Sequence, residues 1–266
     1  MEKLKELRDK TGAGISDCKK ALEEAGGDKE KAIEILRKKG IAKAAKRGDR
    51  DAREGIVMVA SNEAGDEGYI IEVNSETDFV ARNEKFRQFA DNALNIIKDG
   101  KIADLDDLLN QRMADGHSVL ENLESLSGVI GEKLSIKRCG VLTSAGTVGA
   151  YSHMGGRIGV LVALNKPNQE ELARDIAMQI AAINPKYISP VDAPAEEIAK
   201  EKEIYAEQLR KEGKPDNMIE KISEGKLNKY YEEVCLVKQE YIKDDKKKVG
   251  DILGDVKVEN FIRYSL

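Results

Sequence analysis

Gly68-Tyr69-Ile70-Ile71-Glu72-Val73-Asn74, followed by the helix-spaced series Phe86, Phe89, Ala90, Ala93, Leu94 and Ile97, decides the fold of this chain. The first run is dense in β-branched residues. Ile56-Val57-Met58-Val59 precedes it across a polar interval containing Gly65 and Asp66, and the two runs read as a β-hairpin. The second series steps i, i+3, i+4, i+7, i+8, i+11, the spacing of one apolar face of an α-helix. The pattern then returns. Thr147-Val148-Gly149-Ala150-Tyr151, a short polar interval and the apolar run 157–164 precede Leu172, Ile176 and Ile180, which step by four. Residues 135–141 read as the strand ending the first copy, and the alternation that opens at Val256 reads as a final strand. The expected class is therefore α+β: a core of two related α+β subdomains with antiparallel sheets, over 54–140 and 141–266.

Two segments stand outside the repeat. In residues 1–53, Leu4 and Leu7 sit one turn apart before the Thr11-Gly12-Ala13-Gly14 break. Ser16 and Asp17 then offer N-cap oxygens to a helix with Cys18, Ala21, Leu22 and Ala25 on its inner face. Asp28 caps a third helix carrying Ala32, Ile33 and Leu36, expected to stop at Gly40, and 41–55 follows as a linker or a partly helical surface segment. Three short helices of this size lie near the lower limit for independent folding. The second segment, about 192–233, is charged. Ile198, Lys202, Tyr205 and Leu209 form a thin seam, Gly213-Lys214-Pro215 breaks it, and Met218, Ile219 and Ile222 begin a second arm. An inserted antiparallel helical hairpin, coiled-coil in character, is expected.

Charge and composition exclude several functions. Lys+Arg 44 against Asp+Glu 49 leaves a net charge of −5, so an affinity built on neutralising phosphates is not expected. Aromatics at 5% with no Trp argue against base-stacking platforms. Cys18, Cys139 and Cys235 are too few and too scattered for zinc or a disulfide framework, which points to a reducing, cytoplasmic compartment. No run of about 18 apolar residues exists, so no membrane partner is expected. The Thr11–Gly14 glycines lack a Gly-Lys-Ser/Thr ending and a preceding strand, and make a tight turn better than a phosphate cradle. His117 lies in a polar stretch and His153 in a hairpin loop, neither with a nucleophile and orienting acid at catalytic spacing. No cofactor, metal or covalent chemistry is expected. In Glu76-Thr77-Asp78-Phe79-Val80-Ala81-Arg82-Asn83, chemistry alone favours Phe79 tucked beneath its own loop, with Asp78 or Asn83 capping the next helix.

The run from Leu7 to Leu22, Leu-Arg-Asp-Lys-Thr-Gly-Ala-Gly-Ile-Ser-Asp-Cys-Lys-Lys-Ala-Leu, resembles the opening of the bacterial translation elongation factor Ts family. Thr77-Asp78-Phe79-Val80 after Glu72-Val73-Asn74 resembles its second signature. Gly131-Glu132, the block from His153 to Val160, and Phe261-Ile262-Arg263 are similar to later ones, so the resemblance runs along the whole chain in order. It implies a nucleotide exchange factor for the GTPase elongation factor Tu, met both GDP-bound and nucleotide-free. It also implies that the N-terminal module is ubiquitin-associated-like (UBA-like). Carried over by motif, Lys5, Arg8, Ile15, Cys18 and Lys19 would lie on or near the module face that meets the GTPase domain. Asp78 and Phe79, within Thr77–Val80, would enter between GTPase helices near its magnesium, with Ile130, Gly131 and His153 extending the contact. On this resemblance the partner-facing reading of Phe79 replaces the buried one. Some members continue into a C-terminal helix, whereas this sequence stops at Leu266, so no contact is carried over from such a helix. A helical-module scaffold or chaperone-like binding protein without exchange activity is the alternative. Either subdomain could pair with a copy of itself, which leaves a homodimer open.

Overall fold

A computed structural model describes residues 2–266. At the N-terminus, α1 (Glu2–Thr11), α2 (Ile15–Glu24) and α3 (Lys29–Ala45) close around Leu7, Cys18, Ala21 and Ala32. Asp28 caps α3 as expected, its side chain accepting from the backbone N–H of Glu30 and Lys31. Two details differ from the sequence reading. Gly14, not Ser16 or Asp17, is the N-cap of α2, and it offers no side-chain bond. Asp17 instead pairs with Lys43 at 3.1 Å, fastening α2 to α3. The third helix also runs on through Gly40 to Ala45, because that glycine serves helix packing and does not stop the helix.

The first sheet comes next. Strands β1 (Glu54–Ser61) and β2 (Glu67–Ser75) pair antiparallel across a turn in which Asn62 Oδ1 accepts from the N–H of Asp66 and Glu67. A single helical turn, α4 (Asp78–Ala81), leads into α5 (Glu84–Gly100), and α6 (Leu105–Asn110) and α7 (Val119–Ile130) precede β3 (Leu134–Thr143), which pairs with β2. The sheet order is β1-β2-β3. The six apolar positions that mark α5 in the sequence are its six buried residues. They pack with Tyr69, Ile71 and Val73 from one face of β2. Ile70, Glu72 and Asn74 alternate to the other face and are also buried, so β2 is covered on both sides.

The second sheet repeats that plan. Strands β4 (Thr147–His153) and β5 (Ile158–Leu164) form a hairpin, and α8 (Glu170–Ile183) covers its outer face through Ile176 and Ile180. Helices α9 (Ala195–Lys211) and α10 (Asp216–Val234) pack on each other. Glu197, at the root of this pair, accepts from the hydroxyls of Tyr187, at 2.7 Å, and Tyr230. Then come β6 (Glu240–Tyr241), β7 (Asp244–Lys248), α11 (Val249–Leu253) and β8 (Val258–Ser265), the last pairing with β5 to give the order β4-β5-β8. Gln179, fully buried on α8, holds the β6–β7 hairpin by donating to the Glu240 carbonyl and accepting from the Ile242 N–H.

The inner faces of the two sheets meet through Val57, Ile70, Leu142, Val148, Leu161 and Ala163. Close approach is possible because small residues stand at the crossing: a Cβ on Gly159 would fall 2.9 Å from a Val59 methyl, and one on Gly68 2.8 Å from a Val148 methyl. At the rim, buried Glu72 takes charge-assisted bonds from Arg138 (2.6 Å) and Lys137 (3.1 Å). Arg138 lies 4.0 Å over the Tyr264 ring of the second sheet, whose hydroxyl donates to the Cys139 carbonyl. The first sheet, its helices and the second sheet are thereby joined.

The three-helix module sits on α7 by way of α3, where Gly40 meets Gly128. The contact is asymmetric. A Cβ on Gly128 would fall 2.7 Å from the backbone C and O of Gly40, whereas a Cβ on Gly40 meets nothing nearer than 3.4 Å. Both glycines are helical, so each Gly→Ala change gains up to about 1 kcal/mol of helix propensity. Gly40→Ala is therefore expected to be neutral or stabilising in urea unfolding. Gly128→Ala should be destabilising by about 1–3 kcal/mol from overpacking. Equal effects at the two sites would show that this helix pair is not in close contact in solution.

Candidate functional site

Strand β2 ends at Ser75, and the chain leaves it through a short pedestal. Ser75 Oγ donates to the Thr77 carbonyl at 2.9 Å, turning the chain out of the sheet. Thr77 is extended and begins α4, whose single turn separates its side chains by about 100° each. Val80 and Ala81 face inward and are buried against the first core. Phe79 faces the other way, with 80% of its surface exposed. Asp78 pairs with Arg82 across the turn at 2.9 Å, and Asn83 caps α5 by accepting from Lys85 and Phe86 N–H. The expectation from chemistry alone, that Phe79 tucks under its loop, is thus overturned. Val80, Ala81, Phe86 and Phe89 already fill the space beneath it.

The pedestal is clasped from a remote segment. Glu132 accepts from the Thr77 N–H at 3.0 Å and from the Thr77 hydroxyl at 2.7 Å. Glu76 in return accepts from the Lys133 N–H at 2.6 Å and from the Arg50 guanidinium at 3.2 Å. Lys133 Nζ donates to the carbonyls of Gly48 and Arg50. The Lys133 N–H bond, seconded by Arg50, holds the Glu76 carboxyl below its ordinary value of 4.5, against some desolvation.

Ile130, Gly131 and the His153 tip border this point. Ile130 closes α7, half-buried against the first core, and Gly131 ends the helix at φ +90°. The half-buried Glu132 of the clasp comes directly after the exposed Gly131. In the module, the turn at Gly12 lies against α7, since a Cβ there would meet Val129 at 3.4 Å. Ile15, just after that turn, is 57% exposed. His153 and Met154 occupy the tip of the β4–β5 hairpin, both exposed. The tip is bound to the first strand: Val57 N–H donates to the Gly156 carbonyl at 2.7 Å, and Arg157 pairs with Glu54 at 2.9 Å. Because Glu54 is in register with Ser75, the His153 tip lies at the strand end from which the Phe79 pedestal departs. Tyr151 stacks on His153, its hydroxyl 2.9 Å from Nδ1.

Not every expected residue reaches the surface. Lys5, Arg8, Ile15 and Lys19 are exposed, but Cys18 is fully buried in the module core, its Sγ 3.5 Å from the Ala13 carbonyl. Its place is on the inner face of α2, and it can influence a partner only through its neighbours. Val80 likewise is a core residue beneath Phe79. A cleft of about 450 Å³ lies between the module and α7, and ion pairs along it join Lys10 to Glu30 and Asp17 to Lys43. Among the described residues, no group of three His, Cys, Asp or Glu is placed to hold a metal. None of the described helices is long and apolar enough to cross a membrane.

A family model described as Elongation factor TS matches residues 76–266. The chain belongs to the elongation factor Ts family. That family acts in translation as a nucleotide exchange factor for elongation factor Tu, without covalent chemistry of its own. The match begins at Glu76 of the clasp and takes in the Phe79 pedestal, Ile130, Gly131 and the His153 tip. Lys5, Arg8, Ile15, Cys18 and Lys19 precede it. Sequence reading missed Arg50, Glu76, Glu132 and Lys133 as site residues. The clasp's carboxylate bonds to backbone N–H join positions 55 or more residues apart, which no local spacing reports.

The clasp has a pH signature. The unfolded chain protonates Glu76 near 4.5 and the folded chain only at lower pH, so its stabilisation is complete above 4.5 and is lost as pH falls through the lowered folded value. Glu76→Gln should be less stable than the parent near pH 7, with the gap narrowing as pH falls below 4.5 in urea titrations. A gap that stays constant over that range would show that the carboxylate is not held in this way.

Proposed function

We propose that this chain promotes GDP release from elongation factor Tu by presenting Phe79 as a rigid wedge that disturbs the partner's magnesium and phosphate site. The observation that carries the reading is the 80% exposed ring on a turn whose neighbouring residues are anchored in the core. A large aromatic held in water gains roughly 1.5–3 kcal/mol on burial in a partner. Because its backbone is already fixed, little ordering cost offsets that gain.

An exchange factor works by differential binding. It must favour the nucleotide-free partner, and reciprocity then weakens nucleotide binding by the same factor. A thousandfold weakening requires about 4.1 kcal/mol, more than one phenyl ring supplies. The remainder is assigned to Asp78, Ile130, Gly131 and the His153 tip, with Lys5, Arg8, Ile15 and Lys19 on the module. In this reading residues 1–53 form a UBA-like docking module, 54–140 carries the wedge, and 141–266 grips another domain of Tu. Helices α9 and α10 form a coiled-coil arm within that last segment. The partner is a cytoplasmic protein, and no direct nucleic-acid contact is required.

Phe79→Ala should lower the maximal rate of fluorescent-GDP release by roughly tenfold to a hundredfold, the loss of one buried aromatic. The affinity of the nucleotide-free complex should fall much less. Equal loss of both would count against a wedge, and binding without any acceleration by the parent chain would favour a scaffold.

A further inference from the structure

We propose that Glu132 is the positioning residue that holds the Phe79 turn ready to enter the partner, an inference that rests on reading Phe79 as the inserting side chain. Helix α4 is a single turn, and a single turn does not persist on its own propensity. Its N-cap, Thr77, makes no side-chain bond into the turn it begins. Both Thr77 donors are turned instead to Glu132, the N–H to one carboxylate oxygen and the hydroxyl to the other. The start of the pedestal is therefore fixed by a charged acceptor 55 residues downstream, through bonds stronger than neutral ones.

Glu132 is itself well placed to act as a fixed point. Gly131 ends α7 in the left-handed region, and the Ser127 hydroxyl donates to the Glu132 carbonyl at 2.6 Å. Glu76 answers in the opposite sense through the Lys133 N–H. Two adjacent residues on each side thus exchange a carboxylate for a backbone N–H, which resists both rotation and sliding of the 76–77 segment. Asn83 and the buried pair Val80 and Ala81 secure the far end of the turn. With both ends held, Phe79 need not search conformations after the partner arrives.

The test uses the full chain with Tu loaded with fluorescent GDP. Glu132→Ala should lower the maximal release rate about tenfold or more, while the half-saturating Tu concentration changes within about twofold. Glu132→Gln, whose amide oxygen can still accept the Thr77 N–H but which loses the charge and the second acceptor, should fall between the parent and Glu132→Ala. Thr77→Val, the same shape without the hydroxyl, should show a smaller loss of the same kind. In a Phe79→Ala background, Glu132→Ala should cost much less than in the parent, because it acts through the turn whose main contact is that ring and whose lesser one is Asp78. A folded Glu132→Ala chain at full rate, or losses that multiply in the double variant, would overturn the positioning role. Should Glu132→Ala not fold, a full rate for Thr77→Val would overturn it equally. A full rate for Phe79→Ala alone would instead remove the wedge reading, and the positioning role with it.

Discussion

The two sheets must lie back to back at close range, and the rest of the molecule depends on that contact. Strands β2 and β5 are the central strands of their sheets, and each is covered on both faces. β5 accordingly runs apolar without alternating, and β2 does so over Gly68–Ile71 before Glu72 and Asn74 put buried polar groups on the face towards the other sheet. Gly68 and Gly159 stand where a side chain would collide with the opposite sheet. The packing fixes the offset between the hairpins, and the Gly156 to Val57 and Arg157 to Glu54 bonds record that offset at one end. The loop after β2 and the tip between β4 and β5 therefore share an edge, although 74 residues separate Phe79 from His153.

Glu72 shows how the joint tolerates a charge. A carboxylate with no exposed surface is stable only if it is paired and hydrogen-bonded, and here it has two cations and the Asn74 amide. One of those cations reaches across to Tyr264 and to the Ser265 carbonyl. The pair that satisfies Glu72 in the first sheet thus also meets the last strand of the second. In the sequence, Glu72-Val73-Asn74 stands as a family-like block before Thr77 and Phe79. Its physical role is in the joint on which the pedestal stands.

Much of this is legible in the sequence, and the failures have a common cause. Periodicity finds the buried face of α5 to the residue, because a helix covering a sheet writes its burial at a fixed local spacing. Repetition finds the two strand-strand-helix units for the same reason. Local pattern cannot report what a residue meets across space. Gly40 reads as a helix stop but is a packing site against Gly128, 88 residues away. Chemistry alone reads Phe79 as buried and only the family resemblance turns it outward; the 80% exposed ring above a filled core agrees with the second reading. The Ser118 and Glu121 capping box of α7 has a sequence signature and marks the helix that carries Gly131 to its position. Glu76 and Glu132, far apart in the chain, give no sign in the sequence that each holds the other's neighbour.

The contrast between Phe79 and its surroundings bears on how an exchange factor can turn over. A wedge that gained too much on insertion would trap the nucleotide-free complex, since whatever tightens that state must later be overcome by incoming nucleotide. One exposed ring sets a modest gain, roughly 1.5–3 kcal/mol, and the clasp determines how much of it survives ordering. On the proposed reading, evolution could adjust the exchange rate in two ways: by changing the contacts, or by changing how firmly the turn is held. The second leaves the partner surface untouched. On that reading, holding the inserting turn through the Glu132 carboxylate of a remote segment, and not through the helix's own cap, separates those two controls.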